Sequence, residues 1–265
     1  MNKAFVLYAF GLFAVSLAIG LPSISWISPA TYLFVFPVVA IWLWKSDGYS
    51  LWDLGFRFNQ GWHNSLVKGL LFGLAIPISL EVAQILCGWT ILSPRGDPIG
   101  DLPIYLLRIL IQMAISVSIE EFVFRGYFFQ AMEHKAGIVP TSLLTSLLWG
   151  LGHITAMIKE GLSLISILIG MTTFLMTGIA LCISYLKAKK LLWLPFGIHY
   201  GLNISFSLIG WFFITKYNAP DWWIGNPAWS PESGLIGILV WTIIAFFLWW
   251  CFDDKKKSDI SNQSQ

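Results

Sequence analysis

Long apolar stretches with very little charge dominate this chain of 265 residues. A helix needs about 20 mostly apolar residues to cross a bilayer, and the sequence offers eight candidates. They are 4–21, 26–45, 66–88, 103–131, 138–157, 162–186, 191–214 and 234–252. Charged residues make up 11% of the chain, against about 25% in soluble domains. The sequence therefore predicts an all-α, polytopic membrane protein, a bundle of about eight transmembrane helices.

The distribution of basic residues predicts the orientation of the bundle. With a cytoplasmic N-terminus, most Lys and Arg residues outside the helices fall on the inner side: Lys3, Lys45, Arg57, Lys68, Lys135, Lys187, Lys189, Lys190 and Lys255 to Lys257. Only Arg95, Lys159 and Lys216 would lie outside, and this bias follows the positive-inside rule. We therefore expect both termini to be cytoplasmic, and the compact size with short loops favours a prokaryotic cell membrane.

The two ends of the chain carry separate predictions. No small-residue cleavage site follows the first apolar stretch, so we interpret it as a retained helix rather than a signal peptide. Residues 253–265 are polar and are predicted to form a disordered cytoplasmic tail. Membrane lipids are the expected surroundings, and a net charge of +2 gives no reason to expect a nucleic-acid partner.

Two adjacent carboxylates lie inside the fourth stretch, where an ionisable group marks a functional site by default. Glu121 and Arg125 are four residues apart, so they share a helix face and are expected to form an ion pair. Glu120 points elsewhere and has no such partner in the sequence pattern. An unpaired, buried carboxylate suits the work of a general base.

Imidazoles occur inside two further stretches. Trp149 and His153 are four residues apart in the fifth stretch, and His199 and Asn203 are four apart in the seventh. Each pair therefore shares one helix face. His and Asn side chains both donate hydrogen bonds, as an oxyanion site requires. Glu81, in the third stretch, has no local partner, and its pattern fits a polar clamp between helices as well as a site role.

Counted from the helix ends, Glu120, His153, His199 and Asn203 lie within about half a membrane thickness of one another. We therefore expect them to meet in a central intramembrane cavity. In one chemistry, Glu120 with His153 deprotonates a water, while His199 and Asn203 hold the oxyanion. In the other, Glu120, His153 and His199 bind Zn²⁺ in a hydrolytic site. The residue types alone leave both chemistries open.

Taken together, the motifs Glu-Glu-x-x-x-Arg, aromatic-x-x-x-His and His-x-x-x-Asn resemble the CAAX protease and bacteriocin-processing (CPBP, Abi) family. This is the family of the type II CAAX prenyl endopeptidase. The resemblance runs from about 103 to 210, the expected catalytic core of a single transmembrane domain at 1–252. The segment 54–57, Leu-Gly-Phe-Arg, is similar to a loop that such proteins often carry before the core. One departure is Trp149, because the second motif usually begins with Phe.

The resemblance implies an eight-helix fold and peptide-bond hydrolysis within the membrane. It implies catalytic roles for Glu120, His153, His199 and Asn203, and supporting roles for Glu121, Arg125 and Trp149. The expected substrate is a prenylated CAAX protein, which would lose its C-terminal tripeptide, or a leader or membrane peptide. The resemblance does not decide whether Zn²⁺ takes part.

Two other functions fit charges inside a membrane. One is a non-catalytic peptide-binding or bacteriocin-immunity protein that uses the same cavity. The other is a proton-coupled transporter, since intramembrane Glu and His residues also form proton relays. Many transporter folds contain inverted repeats, and none is visible in this sequence.

Overall fold

The computed structural model describes residues 41, 45, 51–96, 100–226 and 232–251. A 3-10 helix at Leu51–Leu54 precedes the helices of the bundle. These are α1 (Trp62–Leu86), α2 (Leu102–Ala136), α3 (Ile138–Leu151), α4 (Ile154–Lys159), α5 (Leu164–Lys187), α6 (Trp193–Phe212), α7 (Asp221–Ile224) and α8 (Leu235–Cys251). The predicted helices at 4–21 and 26–45 and the tail at 253–265 lie outside the described residues, apart from positions 41 and 45.

The six other predicted helices are all present, with ends that differ by a few residues. Among the described residues, four helices are long and apolar enough to cross a membrane. They are Trp62–Leu86, Leu102–Ala136, Ile138–Lys159 and Leu164–Lys187. Their length and hydropathy identify an integral membrane protein that is mainly helical.

A short antiparallel sheet corrects the all-α prediction. Strand β1 (Thr90–Pro94) pairs with β2 (Phe213–Tyr217), and Thr90 lies opposite Tyr217. The predicted seventh helix ends at Phe212, because the backbone of Phe213 is already extended. β-Branched residues in both segments favour strands over helix. The sheet closes one end of the bundle.

The distribution of side chains is typical of a protein in a lipid environment. Large apolar residues face outward: Leu86 is 82% exposed, and Phe246 is 71% exposed. Glu121 and Arg125, in contrast, are completely buried. Ionisable groups inside a membrane bundle face the interior, where they can pair with one another.

Helices α1 and α6 approach each other until their backbones touch. Each carries two glycines four residues apart, Gly69 and Gly73 in α1 and Gly197 and Gly201 in α6. A Cβ atom on Gly73 would lie 2.1 Å from the carbonyl oxygen of Ile198. Glycine pairs with this spacing allow helices to pack closely in membranes. This contact fixes the position of α6, which carries His199 and Asn203.

The segment before α1 is packed against α2. A short surface helix is predicted at Leu51–Arg57, but the structure has a 3-10 helix that ends at Leu54, and Leu54 is only 1% exposed. The carbonyl oxygen of Leu54 would lie 2.7 Å from a Cβ on Gly126. Gln130 Nε2 also donates to the carbonyl oxygen of Asp53 over 2.8 Å. Leu54 therefore packs against α2, while Trp52 and Arg57 of the same stretch remain exposed.

Candidate active site

The two adjacent carboxylates of α2 stand just before a π-helical segment, Phe122–Phe129. Such segments often occur inside α-helices at functional sites. Glu121 Oε1 accepts a hydrogen bond from Arg125 over 2.9 Å, and both side chains are buried. Arg125 also lies 3.4 Å from the carbonyl oxygen of Gly178 in α5. The ion pair predicted from the spacing is confirmed.

Glu121 also contacts the imidazole of α6. His199 Nδ1 lies 2.9 Å from Glu121 Oε1. A carboxylate paired with an arginine only accepts hydrogen bonds, so His199 carries a proton on Nδ1. Nε2 then faces Glu120 Oε2 at 3.8 Å. This distance is too long for a direct hydrogen bond.

Glu120 faces away from the buried ion pair, as the helical geometry predicts, but it has hydrogen-bond partners. Trp149 Nε1 donates to Glu120 Oε2 over 2.7 Å, and Ser116 Oγ donates to Oε1 over 3.3 Å. The expectation of an unpartnered carboxylate is therefore wrong. The sequence comparison treated Trp149 only as a bulkier Phe, yet its indole nitrogen orients Glu120, which a phenyl ring cannot do.

His153 lies where α3 gives way to α4. The first helix ends at Leu151 and the next begins at Ile154, so the imidazole is placed at a break in the backbone. His153 Nδ1 is 3.0 Å from the carbonyl oxygen of Trp149. Because a carbonyl only accepts, Nδ1 carries the proton and Nε2 has the acceptor role. The ring stacks on Phe174, with centroids 4.5 Å apart.

A cavity of about 290 Å³ brings these side chains together. The predicted residues that line it are Glu120, Trp149, His153, His199 and Asn203. Glu121 and Arg125 lie behind its wall and hold His199. Glu81 is buried but is not among the residues that line the cavity.

Several residues of the cavity were missed by the sequence analysis. They are Met113, Phe174, Leu202, Phe206, Ser207 and Glu232. The signal for Ser116, which contacts Glu120 from four residues away, was present in the helical spacing. Glu232 offered no signal, because it belongs to no motif and stands in the connection before α8.

The zinc alternative does not fit the side chains as placed. Within the described part of the chain, no group of three or more His, Cys, Asp and Glu side chains could hold a metal ion. Glu120, one of the three expected ligands, is directed to Trp149 and Ser116. We therefore derive no catalytic step from a metal.

Comparison with protein families identifies the part of the chain that contains the cavity. Residues 102–205 match the family model described as Type II CAAX prenyl endopeptidase Rce1-like. The matched segment runs from the start of α2 into α6 and includes all seven predicted site residues. No curated protein matches the chain. The match agrees with the family that the three motifs suggest.

Proposed function

On the premise that residues 102–205 make this chain a member of the Rce1-like family, we propose that it is an intramembrane endopeptidase. The proposed substrate is a prenylated CAAX protein that loses its C-terminal tripeptide, with leader or membrane peptides as the other peptide class. We also propose that the helices at 4–21 and 26–45 complete a bundle of eight spans, in a prokaryotic cell membrane with both termini cytoplasmic.

The proposed reaction begins with a water molecule in the cavity. Glu120, oriented by Trp149, takes a proton from the water as its oxygen attacks the scissile carbonyl. The acceptor nitrogen of His153 lies in the same cavity and assists this transfer. The proton then moves to the leaving amine, and the C–N bond breaks.

The negative charge that develops on the carbonyl oxygen needs hydrogen-bond donors. In this proposal Asn203 and His199, which line the cavity from α6, supply these donors. Donors fixed before the reaction stabilise an oxyanion most effectively in a site that excludes water. The buried pair of Glu121 and Arg125 holds His199 in position from behind.

A single observation carries the proposal. A carboxylate, two imidazoles and an amide face one cavity inside an otherwise apolar helical bundle, and they come from three separate segments of the chain. Ionisable groups in such a place are expensive, and this set supplies both a base and oxyanion donors for hydrolysis.

The test is cleavage in liposomes by wild type and Glu120→Gln, followed by mass spectrometry. The substrates are a farnesylated CAAX peptide, its unprenylated twin and a generic transmembrane peptide. We expect Glu120→Gln to lower the rate by at least about 100-fold, because general-base catalysis contributes about that much or more. Glu160→Gln, which changes an exposed carboxylate outside the cavity, is the control and should cleave normally.

Each outcome has a defined meaning. Cleavage restricted to the prenylated peptide and lost in Glu120→Gln supports a CAAX endopeptidase. Cleavage of the other peptides, also lost in the variant, keeps the mechanism and changes the substrate. Equal rates for wild type and Glu120→Gln would remove Glu120 from the reaction and overturn the proposal.

A further inference from the structure

The cavity contains a second carboxylate that the proposed reaction does not use. Glu232 lines the cavity together with Glu120, His153 and His199. It is only 5% exposed, and its Oε2 has no hydrogen-bond partner among the described residues. A buried polar atom without a partner is energetically costly, so a group placed this way calls for an explanation.

The backbone that follows Glu232 is packed against α5 and α8. Thr173 Oγ1 in α5 donates to the carbonyl oxygen of Gly234 over 3.2 Å. A Cβ on Gly237 would lie 1.7 Å from the carbonyl oxygen of Glu232, so only glycine fits at this point of α8. The carboxylate is thus presented to the cavity by a fixed stretch of chain.

Other polar side chains lie near Glu232. The hydroxyl of Tyr217 and the carboxylate oxygen Oε1 of Glu81 are buried without a partner among the described residues. Burial and the nearby carboxylates of Glu81 and Glu232 raise the pKa of Tyr217. The indole of Trp241 faces Glu232 and favours its carboxylate form. The carboxylates of Glu81 and Glu232 thus both lie close to Tyr217, and nearby carboxylates attract a cation.

Among the described residues that line the cavity with Glu232, none is Lys or Arg. Arg125, which lies behind the cavity wall, is already paired with Glu121. The titratable groups that share the cavity with Glu232 are Glu120, His153 and His199. Burial raises the pKa of Glu232 to about 8, and a cation bound beside it would favour its carboxylate form.

From these contacts we infer that Glu232 binds a positively charged side chain of the peptide substrate and so selects peptides with a basic residue near the scissile bond. The inference rests on the proposed peptidase function and adds a specificity to it. At about 290 Å³, the cavity lies near the lower limit for ligand sites. A peptide with its scissile carbonyl at Glu120 therefore brings a neighbouring side chain to Glu232.

The experiment compares lysine with norleucine, which has a similar chain length and no charge. A set of short fluorescein-labelled farnesylated CAAX peptides carries lysine at one position each, and every member has a norleucine twin. For wild type we expect kcat/KM to favour lysine by about tenfold at one position, which corresponds to about 1.4 kcal/mol. Glu232→Gln should reduce this ratio to about one, and Glu232→Asp, which keeps the charge, should restore part of it.

Two controls separate a lost contact from a damaged fold. Glu160→Gln should keep the wild-type ratio, and the thermal unfolding of each variant shows whether it is folded. If Glu232→Gln weakens the lysine and norleucine peptides equally, the role of Glu232 is structural and the inference is wrong. The same conclusion follows if wild type shows no lysine preference at any position.

A binding measurement keeps this inference distinct from the proposed reaction. Fluorescence anisotropy with Glu120→Gln protein reports the affinity of each peptide without cleavage. Tighter binding of a lysine peptide that disappears in Glu120→Gln/Glu232→Gln supports the inference even if wild type cleaves nothing. Cleavage without any lysine preference, in contrast, supports the proposed function and overturns the inference.

Discussion

Glu121 is the residue on which the site most depends for its geometry, because one oxygen accepts from both Arg125 and His199. We expect Arg125→Ala to destabilise the protein by about 3–5 kcal/mol, since it leaves a buried carboxylate without its cation. The exposed pair of Arg57 and Asp53 has the same four-residue spacing and is the matched control. Arg57→Ala should lower stability by about 1 kcal/mol or less.

Thermal unfolding in detergent measures both changes. A normal melting temperature with lost cleavage in Arg125→Ala would contradict a supporting role and would place the guanidinium in the reaction. Equal losses of stability in the two arginine variants would show that the buried pair of Glu121 and Arg125 stabilises the protein no more than an exposed pair does.

For single residues, the sequence predicted the contacts that depend only on spacing along one helix. The pair of Glu121 and Arg125 follows from a separation of four residues, and so does the divergence of Glu120 from it. The hydrogen bond from Trp149 to Glu120 could not be predicted. It joins two helices, and the sequence of each helix does not show how the two are rotated relative to each other. Glu232 was missed for the same reason, since its place in the cavity depends on the packing of α5 and α8.

At the scale of helices, the positions of His199 and Asn203 depend on the contact between α1 and α6. Gly73→Ala would put a methyl group 2.1 Å from the carbonyl oxygen of Ile198, so the two helices would have to separate. We expect a loss of about 1–3 kcal/mol, as for overpacking elsewhere, together with reduced cleavage. Unfolding and activity measured on the same preparation test this.

The matched control is Gly210→Ala, at a glycine of the partner helix α6. A Cβ at Gly210 meets nothing within 4 Å, so the variant should be as stable and active as wild type. If Gly73→Ala behaves like Gly210→Ala, the close approach of the two backbones is not needed for the site.

Hydropathy was sufficient to predict the helices, because each long apolar run satisfies its backbone hydrogen bonds internally. Hydropathy could not predict β1 and β2, which are separated by about 120 residues along the chain. Their pairing depends on the fold bringing the end of α1 close to the end of α6. The break at His153 was also missed, because the apolar pattern continues through Gly152 into α4.

The whole molecule has an orientation that the count of basic residues predicts but that still has to be measured. Cys87 is exposed at the end of α1 that we expect to be extracellular, whereas Cys182 is buried. In a Cys251→Ser background, a membrane-impermeant maleimide should label Cys87 in intact cells. The exposed position of Asn59 lies before α1, so Asn59→Cys, with Cys87→Ser added, should react only after permeabilisation.

The reverse labelling pattern would show that the bundle is inserted the other way. It would also place the 3-10 helix at Leu51–Leu54 outside the cell. Labelling of both positions without permeabilisation would mean that α1 does not cross the membrane.

The π-helical segment of α2 separates two parts of the helix that make different contacts. Before the segment, Ser116 contacts Glu120, which lines the cavity. After the segment, Gln130 contacts Asp53, and Glu133 contacts Lys190. Deleting one residue from Phe122–Phe129 would turn everything beyond it by about 100° and leave Glu120 where it is. A change in helix length alone would thus break the contacts of Gln130 and Glu133, with no side chain of the cavity replaced.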